Sequence, residues 1–250
     1  MKTNKRYGWV PDHPDQRDFL YSAVAPEVSL PPKVDLSPGC STVEDQGNLG
    51  SCTANALVGA LEFLEIKKWQ KWADLSRLFV YYNERAIEGT VNSDSGAMIR
   101  DGIKSLASQG VCLEKTVPYR ISQFTKKPSA AAYKEALLHQ IKSYYRIEGL
   151  QQFLQCLASG FPVVFGFSVY ESFESQQVAQ TGIVPMPHPG EQMMGGHAVL
   201  AVGYDQPAQR LLVRNSWGST WGLHGYFWLP FGYITPRLSN DYWTVRTANV

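Results

Sequence analysis

The stretch Gln46–Ala56, QGNLGSCTANA, puts a cysteine at the mouth of a helical pattern, directly behind turn-forming residues. A buried cysteine ordinarily packs as a small hydrophobe inside an element. At a helix start, unpaired N–H groups and the macrodipole favour negative charge, so Cys52 stands where a thiol can become a nucleophilic thiolate. Such a nucleophile needs a base. Of five histidines, His197 in MMGGHAVLAVGYD follows two glycines that leave room for close approach, at the entry of an apolar strand. The imidazole in turn needs an orienting group, and VRNSWGSTWGLHGYFWL supplies Asn215, with Trp217 two residues on to exclude water. Singly, each segment also reads as ordinary packing. Together they describe thiolate–imidazole chemistry with an amide as the orienting group.

His197 and Asn215 follow Cys52 by 145 and 163 positions, and in this order and spacing the sequence resembles the papain family of cysteine peptidases. LPPKVDL at Leu30–Leu36 is similar to the start of a mature enzyme of that family, QGNLGSC to its nucleophile segment, and DSGAMIRDGIKSLASQGV to its cleft-lining segment. GFPVVFGFSVYESF, GGHAVLAVGYD and RNSWGSTWGLHGYF then follow in family order, so the likeness covers most of the chain. The resemblance implies hydrolysis of peptide bonds through an acyl-enzyme. Cys52 is then the nucleophile, His197 the acid and base, Asn215 the orienting residue, and the Gln46 amide a donor to the oxyanion. It also implies that Gly96 accepts an extended peptide by backbone hydrogen bonds, that Gly50 flanks the bond to be cut, and that Met98, Gly166, Gly196 and Ala198 wall the main side-chain pocket. None of the four is charged, so an apolar guest is expected two positions before the cut. Two departures stand out: Leu49 replaces a cysteine that normally forms a disulfide, and Thr53 replaces an aromatic residue. No cofactor or metal is implied. The alternatives are a Cys-dependent acyltransferase and a catalytically silent peptide-binding module of the same fold.

The elements must bring these segments together. Apolar positions Ala54, Leu57, Val58, Leu61 and Leu64 predict a helix from about Cys52. Further helices are predicted over 76–88, 97–108, 131–142 and 150–158. Strands are predicted over 143–147, 162–169, 198–204, 210–215 and 225–229. Helices first and strands later imply an α+β fold. In the resembling family this is a two-lobed structure with a helical lobe (about 45–125), an antiparallel β-barrel-like lobe (about 126–235) and a C-terminal strap, the cleft lying between the lobes. Residues 1–29 precede it as a polar, Pro-punctuated arm. Its YGWVPDHP suits an extended course along the cleft that restrains activity; the alternatives are a strap on the back of a lobe or disorder.

The totals agree with one large domain: 250 residues, 44% apolar, 18% charged. A net charge of +1 with no long basic block points away from nucleic acid and anionic lipid as partners, leaving a peptide or protein substrate and a monomer as the expectation. No apolar run reaches the length of a membrane span, and residues 1–19 hold no hydrophobic leader, so a cytoplasmic location or export without a Sec signal is expected. Cys40, Cys52, Cys112 and Cys156 form no CxxC pair, and zinc spacing is absent. Whether Cys40 pairs with Cys112 is open from the sequence.

Overall fold

The structure, a computed structural model, describes residues 6–246. In chain order the strands and helices are β1 (Trp9–Val10), β2 (Lys33–Asp35), α1 (Cys52–Trp69), α2 (Arg77–Glu88), β3 (Ala97–Met98), α3 (Ile99–Ser108), α4 (Ala130–Ala136), β4 (Ser143–Arg146), α5 (Gly149–Ala158), β5 (Val163–Tyr170), α6 (Gln176–Thr181), β6 (Met193–Asp205), β7 (Arg210–Arg214), β8 (Tyr226–Pro230) and β9 (Ser239–Arg246).

Helix α1 is buried on every side from Cys52 to Glu65, as an all-round apolar helix must be. It runs along β6, with α2 and α3 packed on its other side. Several polar residues inside this lobe pair locally. The Thr53 hydroxyl donates to Glu84 at 2.9 Å, and the Leu75 N–H donates to Glu62 at 3.0 Å. Thr53, in place of an aromatic, thus buries a paired hydroxyl instead of a ring. Helix α2 is closed by Ser76, whose hydroxyl accepts from the Phe79 N–H, and by Gly89 in the left-handed region at φ 73°.

The second lobe is a seven-stranded sheet in the order β4-β9-β5-β6-β7-β8, with β2 pairing β6. This sheet is open, ending at β4 and β8, rather than barrel-like as expected. One core fills the space between α1–α3 and the sheet, and a second, rich in Phe, Tyr and Trp, lies on the opposite face with α5. The helices and antiparallel sheet form the expected α+β two-lobed arrangement.

Several boundaries differ from expectation for physical reasons. Helix α4 stops at Ala136 because the chain beyond it turns back to bond elsewhere: the Val111 N–H donates to the His139 carbonyl at 3.0 Å. Residues 97–98 leave the helical pattern because they pair with β1. Strand β6 begins at Met193, its glycines pairing with Ser168 and Val169. Residues 239–246 form the interior strand β9, between β4 and β5, where the sequence reading placed a strap. All four cysteines are free. Leu49, standing where a disulfide cysteine is usual, is fully buried, and its carbonyl accepts from the Gln46 amide at 2.9 Å.

Candidate active site

Cys52 is the first residue of α1, and its sulfur is completely buried at the junction of the two lobes. The Ala198 N–H on β6 donates to this sulfur at 3.4 Å, which brings the neighbour of His197 against Cys52. His197 Nε2 bonds Asn215 Oδ1 at 2.8 Å, and that oxygen also accepts from the Ser216 N–H at 2.9 Å. The ring is held in one orientation, with Nδ1 directed away from the amide. Trp217 stacks on the imidazole at a centroid distance of 5.0 Å and an interplanar angle of 26°. Register makes this possible. Leu200 of β6 pairs with Arg214 of β7, so the two strands deliver His197 and Asn215 to the same end of the sheet.

Gln46 is fully buried, and both ends of its amide are fixed. Its Oε1 accepts from the Ser216 hydroxyl at 2.6 Å, which turns Nε2 toward the cleft. There Nε2 donates to the Leu49 carbonyl and, at 3.1 Å, to the carbonyl of Arg6. A carbonyl of the N-terminal arm therefore stands where a substrate carbonyl would meet this donor.

The arm continues through the cleft. Arg6 pairs with Asp94, and Tyr7 donates its hydroxyl to Glu174, its ring lying against His197 and Trp217. The Gly8 carbonyl accepts from the Ala97 N–H at 2.8 Å. Strand β1 then runs parallel to β3, Trp9 opposite Ala97 and Val10 opposite Met98. Only glycine fits at these crossings. A Cβ on Gly8 would lie 1.8 Å from the Gly50 carbonyl oxygen, and one on Gly96, already at φ 72°, would lie 2.2 Å from the Gly8 oxygen. The Trp9 indole rests on Gly166 and Gly196, where added Cβ atoms would come within 2.0 Å and 2.7 Å of arm atoms. Gly50, Gly96, Gly166, Gly196, Met98 and Trp217, all candidate substrate contacts, thus line the path of the arm, and Ala198 touches Cys52. The residues that steady this path were not singled out in the sequence. Asp94, which lies in the quoted DSGAM segment, accepts from the Gly50 N–H at 2.9 Å and from the Tyr81 hydroxyl at 2.5 Å.

Burial dominates the thiol's ionisation. Desolvation pushes Cys52 up to about 11, against the pull of N–H donors from Ala198, Gly8 and Thr53, while Glu84 adds to the rise. A helix terminus is expected to lower this value; burial of the sulfur reverses the balance. With the arm seated the neutral thiol prevails at pH 7. Alkylation of Cys52 by iodoacetamide in the full chain should therefore accelerate about tenfold per pH unit from pH 7 to 10. A profile flat across that range would reveal a thiolate already formed and contradict the effect of burial.

The papain family cysteine protease model matches residues 30–244 of this sequence. The chain belongs to that family. Among solved structures, xylellain, a cysteine protease from Xylella fastidiosa, superposes with a TM-score of 0.91 at 45% identity, over 100% of this chain and 98% of that one. An uncharacterized peptidase C1-like protein of Acanthamoeba polyphaga mimivirus is 41% identical over 97% of this chain and 87% of its own length. The thiol protease aleurain of Arabidopsis thaliana is 30% identical over 77% of this chain, which spans 53% of aleurain's length. As a papain-family cysteine protease this chain is a peptide-bond hydrolase. Among the described residues no cluster of His, Cys, Asp or Glu is arranged to hold a metal ion, and no helix is long and apolar enough to cross a membrane.

Proposed function

We propose that this chain hydrolyses peptide bonds in peptides or proteins by covalent catalysis at Cys52, and that its own N-terminal arm occupies the cleft until displaced. The Cys52 thiol passes its proton to His197 as the sulfur attacks the carbonyl carbon, and the C–N bond breaks as His197 gives that proton to the leaving amine. His197 then takes a proton from water, whose oxygen attacks the thioester, and hands it to the departing sulfur, which frees the acid and restores the thiol. Asn215 fixes the ring, and Trp217 shields the bond between them. The Cys52 N–H and Gln46 Nε2 stabilise the oxyanion, aimed in advance so that no reorganisation is needed during reaction.

The observation that carries this reading is the convergence of residues 46, 52, 197 and 215: Asn215 holds His197, the neighbour of His197 bonds the Cys52 sulfur, and Ser216 fixes the Gln46 amide. The occupancy of the same cleft by Arg6, Tyr7, Gly8 and Trp9 supports the restraint. A seated Gly8 denies the sulfur to any other chain.

Hydrolysis of a quenched-fluorescence peptide library tests the reading, with Gln46→Ala as its diagnostic variant. Removing one oxyanion donor is expected to lower kcat by about 10²–10³ while KM changes little. An unchanged kcat would remove Gln46 from the mechanism, and failure of the parent chain to cut any peptide, with or without the arm displaced, would end the assignment.

A further inference from the structure

The pocket beside the nucleophile has glycine walls but an acidic floor. The guest seated in it is Trp9, 9% exposed, its indole lying flat over Gly166. The indole N–H donates to Asp241 Oδ2 at 3.1 Å. Asp241 itself is almost completely buried, at 1% exposure. It reaches the pocket because β9 pairs Asn240 with Gly166, and because Asp241 adopts φ 56°, which breaks the alternation of the strand.

The charges under the pocket do not balance. Asp241 Oδ2 also accepts from the Asp12 N–H at 2.8 Å, and Asp12 Oδ2 accepts from the Trp243 indole at 2.9 Å. Arg146 reaches Asp241 and Asp18 at 3.3 Å and Asp12 at 3.9 Å, and Arg100 forks onto Asp18 at 2.6 and 3.0 Å. Three carboxylates therefore face two guanidiniums. Burial and the neighbouring Asp241 push Asp12 up to about 6, and burial also raises Asp241.

The arm divides here. Residues from Asp12 onward are bolted down by these buried pairs, by the Arg146 N–H on the Phe19 carbonyl at 2.7 Å, and by Tyr21 in the aromatic core. Arg6–Trp9 hold only the cleft. When they swing out, Asp12 and Asp18 stay, and the floor keeps its excess negative charge.

Resting on the peptidase reading above, we propose that Asp241 is a specificity-determining residue. It selects, in the pocket that Trp9 fills, side chains with an apolar stem and an N–H donor at the tip: arginine, lysine and tryptophan. An aliphatic guest leaves the buried carboxylate without the bond that Trp9 gives it, and a cationic guest supplies the missing positive charge. The uncharged walls, on which the expectation of a purely apolar guest was based, accept the stem of such a residue equally well.

The test uses the full-length chain carrying Trp9→Ala, which vacates the pocket. Tripeptidyl vinyl sulfones with Arg, Trp, Phe or Leu second from the warhead are compared for their rate of labelling Cys52. The Arg and Trp probes should label about tenfold faster than the Leu probe, the scale of a hydrogen bond to a charged group. Asp241→Asn suits the left-handed backbone. It should erase the advantage of Arg and retain that of Trp, since the amide oxygen still accepts. Gly166→Ala, whose Cβ would lie 2.0 Å from the indole, should slow the Trp probe at least as much relative to Leu. Leu or Phe labelling fastest, or a rank order indifferent to Asp241→Asn, overturns the proposal. Probes that label in the expected order while the matching coumarin peptides go uncut would overturn the hydrolase reading and leave the pocket assignment standing.

Discussion

Cys52→Ala is expected to abolish peptide hydrolysis, a loss of at least about 10⁴-fold, with the fold and melting temperature little changed. The magnitude follows from covalent catalysis. Without the sulfur there is no acyl-enzyme, and His197, Asn215 and Gln46 retain only binding and oxyanion stabilisation, which act on water far less well. The fold tolerates the change because Cys52 forms no disulfide and its methylene is retained. Cys112 and Cys156 are also buried and free, so Cys→Ala at either serves as a comparison that removes a buried thiol without removing chemistry. Residual turnover in Cys52→Ala above a hundredth of the parent rate would show another group to be the nucleophile.

Displacing the arm is expected to produce the largest change in the opposite direction. Gly8→Val places a branched side chain where even a Cβ would lie 1.8 Å from the Gly50 carbonyl, between the arm and the nucleophile loop. The backbone on both sides cannot yield by that amount, so Arg6–Trp9 must leave. They lose the Gly8 bond to Ala97, the Arg6 carbonyl bond to Gln46 and the Trp9 bond to Asp241 together. A tethered segment competes at a high effective concentration, so its release raises the accessible fraction steeply. Turnover of small peptides should rise about ten- to a hundredfold, which corresponds to roughly 1.4–2.8 kcal/mol of arm docking. Trp9→Ala, which empties only the pocket, should give a smaller gain. Rates equal to the parent in Gly8→Val, with the melting temperature preserved, would mean that the arm does not limit access.

The parts of this site that could be read in the sequence are those whose chemistry announces itself by residue type. A cysteine after turn glycines, a histidine after Gly195 and Gly196, and an asparagine before Trp217 each carry a local signature, and the helical repeat from Ala54 to Leu64 fixed where α1 begins. What was not legible depended on long-range pairing. The open edges of the sheet follow from the order β4-β9-β5-β6-β7-β8, which periodicity does not contain. Strand β9 hid because its first residues are Ser, Asn and Asp and because the left-handed Asp241 interrupts its alternation. For the same reason the acid beneath the pocket escaped notice: it lies on a strand remote from every motif that walls the pocket. The raised thiol is likewise a tertiary effect. A helix terminus favours the thiolate, but burial at the junction of the two lobes outweighs it, and that burial is set by segments far apart in the chain.

The central claim is that a Cys52 nucleophile is paired with His197 and covered by the chain's own arm. The most direct measurement is site-resolved labelling with a peptidyl vinyl sulfone at pH 6.5, mapped by mass spectrometry, in the parent chain and in Gly8→Val. The account predicts slow modification in the parent, and in Gly8→Val fast modification confined to Cys52 and lost on adding His197→Ala. Equal rates at Cys52 in the parent and Gly8→Val chains, or modification spread over Cys40 and the other cysteines, would contradict it.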